Sequence, residues 1–431
     1  MQLCRTHIVI ALAVLTLFLT GCKEEPLQEG VTIFENGYYF NGDSMIAFKE
    51  LAIQNTTIIS ISNKKSKTNA QRVDVSGKYI IPGLVDAHVH LAGSPSGIYT
   101  GVDPAYNAAS SLRCGVTTVV DLFFEEARCK TFKETTKSYP GKYATVILSG
   151  PILTAPHGHG TEYGVETRTL VTKPETERIT NEVIDNGADV IKLVYQAYSN
   201  KHAISKRILE TIVTTAHKRG VKVFAHIDVT EEAMDCIDAG VDILAHIPGN
   251  HFTNEQLERM EQSRILTIPT FSVVKSFYMG HGVSFSSDSL LWQTAHPDHL
   301  SKIKHDVPVS ALYFDTSRAF VYWNNLKKLI EKKLPIVAGT DAGNYAVFYG
   351  YSLHNEIDYY VLAGMTPAEA LNSATRNILA LFPDRSIGKI EPGYNADLVI
   401  LNKNPLVDIR NTKSIYSVYH KGIKVHRENA R

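Results

Sequence analysis

The chain has 431 residues, of which 44% are hydrophobic and 20% are charged, so it holds ample apolar material for a large folded core. Lysine plus arginine and aspartate plus glutamate number 44 each, which leaves no excess positive charge for binding nucleic acid. We therefore expect a folded protein that binds a small molecule and does not bind nucleic acid.

The first segment is typical of a targeting sequence. Arg5 precedes an apolar run over residues 8–19, which suits the core of a signal peptide but is short for crossing a bilayer, where about 20 residues are needed. The run ends in the motif LTGC, which resembles a bacterial lipobox. That resemblance implies a lipoprotein signal peptide over residues 1–21 and acylation of Cys22. We expect residues 22–30 to be a tether on an exported chain that is lipid-anchored to a bacterial membrane and faces the periplasm or the exterior. An ordinary signal peptide is the alternative.

Residues 31–75 show a pattern of short predicted strands separated by turns, and the same pattern occurs over residues 396–401 and 417–422. Both ends of the chain therefore share one pattern. We predict a small β-domain, a β-sandwich, built from residues 31–82 and 385–431.

Between these ends, residues 83–384 alternate apolar runs with helical patterns, which is typical of βα units on a parallel sheet. Eight such units over about 250 residues predict an α/β fold of the (β/α)₈ TIM-barrel type. An open doubly wound sheet is the alternative, but it would normally bring a glycine-rich phosphate turn, which this sequence lacks. The eight runs are 84–89, 116–122, 144–152, 190–195, 221–227, 241–247, 265–271 and 335–342.

The connection after the seventh run is unusually long. Residues 272–316 are rich in aromatic residues and glycine, and a predicted helix over residues 317–333 follows them. Loops of this length are usually functional or disordered. The aromatic content favours a lid over the site, and an insertion packed on the barrel wall is the alternative.

Coordinating side chains recur where the apolar runs end. His88 and His90 are two residues apart on the first strand, so both face the same way, and paired imidazoles are good ligands for zinc. The fifth and sixth runs bring His226 and His246, one βα unit apart. Asp341 ends the eighth run and is either a helix N-cap or a ligand and general base. Its strand lies next to the first strand once the barrel closes, which favours the second interpretation.

Lys192 lies inside the apolar run of the fourth strand, and a lysine is almost never buried without a partner. Two interpretations are open. The side chain extends to the strand end and keeps its charge in water, or CO₂ carboxylates the amine and makes it an anionic ligand. The strand pattern alone favours the first.

Taken in order, these motifs resemble the amidohydrolase superfamily over the whole chain from about residue 31. The matching motifs are PGLVDAHVH (82–90), GVTT (115–118), GADVIK (187–192), GTD (339–341) and GKIEPGYNADLV (388–399), together with the two later histidines. The resemblance implies an enzyme that hydrolyses an amide C–N bond with a metal-bridging hydroxide.

The resemblance also implies roles for the coordinating residues. His88, His90 and Asp341 would hold one divalent ion, and a second ion would be bound by the other two histidines, His226 and His246. Carboxylated Lys192 would bridge the two ions, for which zinc is the default. Asp341 would also take the proton of the attacking water and return it to the leaving nitrogen.

The loop TAPHGHG over residues 154–160 resembles the glycine–histidine loop of the imidazolonepropionase-like and Xaa-Pro dipeptidase-like branch, although His157 stands where glycine is usual. This favours a dipeptide or an N-acyl amino acid as substrate, as in a dipeptidase or carboxypeptidase. His159 would contact its carbonyl or carboxylate, and Tyr195 its polar end. A cyclic amide or lactone, as in hydantoinases and dihydroorotases, is the alternative. A non-catalytic binding protein is disfavoured because all six metal ligands are present.

The remaining features leave more than one interpretation open. Cys114, Cys129 and Cys236 are widely spaced, and we expect buried free thiols, with a Cys114–Cys129 disulfide as the alternative. His354 and Glu356 lie on a predicted helix over residues 353–363, where they either support Asp341 or pack as ordinary helix residues. Assembly into a homo-oligomer is left open.

Overall fold

A computed structural model describes residues 30–93, 103–279, 288–300 and 316–427. The predicted signal peptide, most of the tether and the lipidation residue Cys22 lie outside these ranges. So do residues 280–287 and 301–315 of the long connection. Within the described ranges, no helix is both long enough and apolar enough to span a bilayer.

Two β-sheets from the two ends of the chain form a small sandwich. Its strands are β1 (Val31–Glu35), β2 (Tyr38–Phe40), β3 (Met45–Ala47), β4 (Glu50–Gln54), β5 (Thr57–Ser62), β6 (Gln71–Asp74), β7 (Tyr79–Pro82), β17 (Leu398–Leu401), β18 (Ile415–His420) and β19 (Ile423–Lys424). One sheet has the order β5-β4-β1-β6 and the other β19-β18-β17-β7-β2-β3. Phe34 and Leu51 of the first sheet share a buried core with Ile80 and Leu398 of the second, because alternate residues of each strand face inward.

The rest of the chain forms a barrel of parallel strands. These are β8 (Leu84–Val89), β9 (Val116–Asp121), β10 (Thr145–Leu148), β11 (Ile152–Thr154), β12 (Thr167–Thr169), β13 (Val190–Val194), β14 (Lys222–His226), β15 (Ile243–Ala245) and β16 (Leu266–Ile268). They pair in the orders β10-β9-β8 and β12-β11-β13-β14-β15-β16. The predicted (β/α)₈ barrel with a small β-domain from both chain ends is confirmed.

The third predicted strand differs from expectation. Residues 144–152 divide into β10 and β11, because Gly150 has a φ of +68° and Pro151 follows it. A left-handed glycine and a residue without a backbone N–H both interrupt a regular strand ladder.

The eighth predicted strand also departs from a regular ladder. Residues 335–342 make only isolated parallel bridges, from Ile336 to Thr267 and from Ala342 to Val89. These bridges nevertheless join the segment to β16 on one side and to β8 on the other, so they close the barrel.

Helices surround the barrel: α1 (Pro104–Arg113), α2 (Cys129–Ser138), α3 (Lys173–Asp185), α4 (Lys206–Lys218), α5 (Thr230–Ala239), α6 (Asn254–Ser263), α7 (Phe271–Tyr278), α8 (Ser289–Thr294), α9 (Thr316–Glu331), α10 (Tyr351–Leu362) and α11 (Pro367–Ser373). Helix α5 ends at Gly240, whose φ of +80° suits glycine after the last helical turn. The three described cysteines, Cys114, Cys129 and Cys236, are buried free thiols, as expected.

The barrel interior is filled beneath the carboxyl ends of its strands. Side chains from several strands, among them Val85, Val120, Val190, Phe224 and Ile243, pack in one buried cluster. Alternate residues of a strand share a face, so Lys192 follows Val190 and His226 follows Phe224 on the inner surface. The apolar cluster therefore forms a floor, and the coordinating side chains lie above it.

Candidate active site

The six side chains that the sequence analysis singled out as candidate metal ligands meet above this floor. All of them line a single cavity of about 390 Å³, within the usual range for small-molecule sites. They are His88, His90, Lys192, His226, His246 and Asp341. Lys192 lies in the middle of β13, and the other five residues lie at or just beyond the ends of their barrel segments. The closure of the barrel therefore brings together residues that are far apart in the chain.

Three of these side chains form a compact cluster. His90 Nε2 lies 2.8 Å and His88 Nε2 3.4 Å from Oδ1 of Asp341, and the possible ligand atoms of the three residues lie within 4.8 Å of one another. Both ring nitrogens of His88 are buried without a hydrogen-bond partner. Orphaned buried polar atoms are costly, and Oδ1 of Asp341 is also without a hydrogen-bond partner. A divalent cation would satisfy this oxygen and one nitrogen of His88, so these residues fit a metal.

The other two histidines each have one nitrogen engaged. His246 Nδ1 lies 2.8 Å from the hydroxyl of Thr270, and His226 Nε2 lies 3.2 Å from Oδ1 of Asp228. The second nitrogen of each ring therefore stays available for a metal. Metal-binding histidines commonly hold their other nitrogen in this way, which fixes the tautomer and the ring orientation.

Asp228 was missed by the sequence analysis. Its carboxylate lines the cavity and accepts hydrogen bonds from His226 and Gln196. Burial alone would raise the pKa of Asp228, but these hydrogen bonds and the nearby histidines hold that pKa well below its usual range. The spacing of His226 and Asp228, two residues apart at a strand end, is the signal that could have identified it.

Lys192 is 2% exposed and lies among apolar strand residues. Burial lowers the pKa of its amine to about 7, because a charged ammonium is poorly solvated there. A neutral amine is the form that can react with CO₂. The burial and surroundings of Lys192 are therefore compatible with carboxylation. The alternative, in which the side chain extends to the strand end and keeps its charge in water, is wrong because the side chain is buried.

The backbone at this rim adopts unusual conformations. Asp341, His246 and Thr270 have φ values of +61°, +80° and +49°, in a region that residues other than glycine seldom occupy. Each such residue costs about 1–3 kcal/mol and is maintained only where the surroundings enforce it. Here the Asp341 N–H donates to the His88 carbonyl at 2.8 Å, which ties the last barrel segment to the first strand.

Two buried aspartates that the sequence analysis did not single out hold the segments carrying the ligands. Asp86 accepts hydrogen bonds from the backbone N–H of Thr340 at 2.9 Å and from its hydroxyl at 2.7 Å. Asp121 accepts from the backbone of Leu91 at 2.6 Å and of Phe123 at 2.8 Å. Burial raises the pKa of both carboxyl groups to about 7. These contacts position the residues beside Asp341 and His90.

The two predicted substrate contacts are placed differently. His159 lines the cavity, with its ring centroid 4.7 Å from that of His226 and its Nδ1 2.6 Å from Glu162. The structure does not bring Tyr195 into the cavity, because its hydroxyl donates to Asp235 at 2.6 Å and its side chain is 1% exposed. Tyr195 follows the inward-facing Val194, and successive strand residues face opposite sides, so the expected contact of Tyr195 with substrate is not supported.

Helix α10 supports a different part of the site from the one considered in the sequence analysis. The carboxylate of Glu356 accepts hydrogen bonds from the backbone of Phe271 at 2.7 Å and of Ser272 at 2.6 Å, and so fixes the start of α7. His354 instead lies 2.9 Å from both the Thr412 hydroxyl and the Cys114 carbonyl. Glu356 therefore acts on the segment that follows Thr270, and through it on His246.

The described part of the long connection contributes to the cavity wall. Helix α7 lies in this connection and presents Val273, Val274, Phe277 and Tyr278 to the cavity, and α9 adds Tyr322. The predicted lid over residues 272–316 is represented in the described residues by α7 alone. Helix α8 instead packs on α1 and α10 and is not among the cavity-lining residues, as the alternative of an insertion packed on the barrel wall expects.

The model of the amidohydrolase family matches residues 79–425, a range that contains all six coordinating residues. The chain belongs to the amidohydrolase family. Members of this family are hydrolases that generally depend on two metal ions, and the cluster of His88, His90 and Asp341 is one group that could hold an ion.

Known proteins resemble this amidohydrolase over most of its length. Ochratoxinase from Aspergillus niger is 25% identical over 441 aligned positions, which cover 92% of this chain and 82% of that protein. A crystal structure of an Xaa-Pro dipeptidase with bound methionine superposes with a TM-score of 0.74 at 21% identity, covering 92% and 100% of the two chains. A putative prolidase from Bifidobacterium longum has a TM-score of 0.74 at 24% identity, covering 93% and 96%.

Proposed function

We propose that this amidohydrolase releases an amino acid by hydrolysing the amide bond of a dipeptide or an N-acyl amino acid. The observation that carries the proposal is the convergence of two ligand groups and His159 on one cavity of about 390 Å³. The relatives named as dipeptidase, prolidase and ochratoxinase support the same class of substrate.

The ligand set suits two divalent ions, which we propose to be zinc. His88, His90 and Asp341 would hold one ion, and His226 and His246 would hold the other, with carboxylated Lys192 between them. Bound ions of this kind activate water and polarise the amide carbonyl. Oxygen and imidazole donors without cysteine are also compatible with manganese, cobalt or iron.

The protein's own residues then position the substrate and move the protons. Asp341 takes a proton from the attacking water and delivers it to the leaving nitrogen. The hydrogen bond from the Thr340 hydroxyl to the Asp86 carboxylate fixes the residue next to Asp341. General acid–base catalysis requires the Asp341 carboxylate within hydrogen-bond reach of the attacking water and of the leaving nitrogen.

We propose that His159 hydrogen-bonds the carbonyl or carboxylate oxygen of the substrate. Replacing it with alanine is expected to lower kcat/KM by roughly tenfold or more, because a lost hydrogen bond to a charged group costs about 1.5–3 kcal/mol. Steady-state kinetics checks this. His202→Ala is the matched control, since His202 is exposed and lies outside the cavity lining. Unchanged kinetics in His159→Ala would contradict the assignment.

The decisive test of the function is amino-acid release from a panel of dipeptides and N-acyl amino acids by the metal-loaded full chain. Cyclic amides and lactones are assayed in parallel. Release from a related subset of the linear substrates supports the proposal. No amino-acid release from any linear amide, with two ions bound per chain, refutes the proposed function. Turnover of a ring substrate would establish the cyclic-amide or lactone alternative.

We also propose that the protein is exported and anchored through an acylated Cys22 to a bacterial membrane, facing the periplasm or exterior. The motif LTGC after an apolar run supports this. Cys22→Ser is expected to abolish labelling by a radioactive fatty acid and to release the protein from the membrane fraction, whereas Cys236→Ser keeps both. Equal labelling of Cys22→Ser and the unchanged protein would contradict the proposal.

A further inference from the structure

The cavity has two unlike halves. The barrel strands supply the candidate metal-binding residues together with apolar side chains such as Phe123 and Ile152, and helices α7 and α9 supply a separate apolar surface. We call this surface the aromatic wall. It consists of Val273, Val274, Phe277, Tyr278 and Tyr322.

Two rings of the aromatic wall already stack on each other. The centroids of Tyr278 and Tyr322 lie 5.6 Å apart with an interplanar angle of 23°, and both side chains are half-buried, as is Phe277. Partly exposed aromatic surface that faces a cavity favours a planar apolar group, because ring pairs prefer offset-stacked or edge-to-face contacts at centroid distances of about 4.5–7 Å.

The aromatic wall is also held in a defined position. Glu356 accepts two backbone hydrogen bonds at the start of α7, and the hydroxyl of Ser276 donates to the carbonyl of Tyr345. Thr270, the residue before α7, contacts His246. The aromatic wall and His246 are therefore connected through one short helix, and both line the same cavity.

We infer that the substrate carries an aromatic ring next to the scissile amide and that the aromatic wall selects for it, with Phe277 and Tyr322 as the specificity-determining residues. This inference rests on the proposed amide hydrolysis. An aromatic group bound on the aromatic wall would remove apolar surface of the substrate and of the protein from water. The favourable free energy of binding from this burial is roughly proportional to the buried apolar area.

The test compares four substrates of one design: N-acetyl-alanine, N-benzoyl-alanine, N-acetyl-phenylalanine and N-benzoyl-phenylalanine. The metal-loaded full chain is expected to favour at least one aromatic position over N-acetyl-alanine by about tenfold or more in kcat/KM. Phe277→Ala and Tyr322→Ala are each expected to reduce that ratio at least about fivefold.

Two further variants separate the ring from general damage. Tyr322→Phe keeps the ring and should keep the preference, and Phe320→Ala, on the same helix but 62% exposed, should leave it unchanged. Equal turnover of all four substrates would overturn the inference while leaving amide hydrolysis intact. Persistence of the aromatic preference in both alanine variants would overturn the inference as well. If the enzyme hydrolyses none of the four substrates and no other linear amide, the proposed function is overturned, and this inference with it.

Discussion

Replacing Asp341 with asparagine is expected to lower kcat by roughly 10³-fold or more, because general acid–base catalysis alone contributes about 10²–10⁴-fold. The change removes both the proton acceptor and an anionic ligand, while the amide keeps nearly the same shape. The Asp341 backbone N–H still donates to the His88 carbonyl, so the fold of this segment should persist. The measurement is kcat on the best substrate, together with metal content by mass spectrometry.

The control for this experiment is Asp384→Asn, because Asp384 is exposed and lies outside the cavity lining. A variant of Asp341 that retains both ions but loses turnover would identify proton transfer as the main contribution. Loss of one ion would identify ligation. Full kcat in Asp341→Asn would refute the assignment altogether.

Replacing Lys192 with methionine is expected to lower kcat by roughly 10²-fold or more and to reduce bound metal from two ions to one or fewer, because a bridging ligand holds both ions. Methionine has a similar length and fits an apolar interior. Removing a buried amine should leave the metal-free protein at least as stable, since an uncompensated buried polar group costs free energy. Metal analysis, kinetics and denaturant unfolding of the metal-free protein check the three expectations.

Lys218→Met is the matched control, since Lys218 is exposed at the end of α4. Two ions retained with unchanged kcat in Lys192→Met would show that this lysine is no ligand. A metal-free variant that is much less stable than the unchanged protein would show instead that the amine makes a structural contact.

Helix α7 illustrates where the sequence analysis reached its limit. The aromatic content of the long connection indicated a role near the site, and its first helix, α7, does line the cavity. The orientation of the helix depends on Glu356, which lies 84 and 85 residues away in the chain from its two backbone partners. No local pattern contains that information, because the contact exists only after the barrel has closed.

The sequence by itself predicted the barrel and the small β-domain from its periodicity and, through the resemblance to the amidohydrolase superfamily, the six candidate metal ligands that the structure brings to one cavity. It could do so because strand alternation and strand-end position are local and periodic, and a parallel barrel brings its strand ends to one rim. Only the tertiary structure decided that Asp228 holds His226, that Asp86 and Asp121 hold the ligand segments, and that Tyr195 turns away toward Asp235. These outcomes depend on which side chains from distant segments meet, and that is set by packing and by the need of buried polar groups for partners.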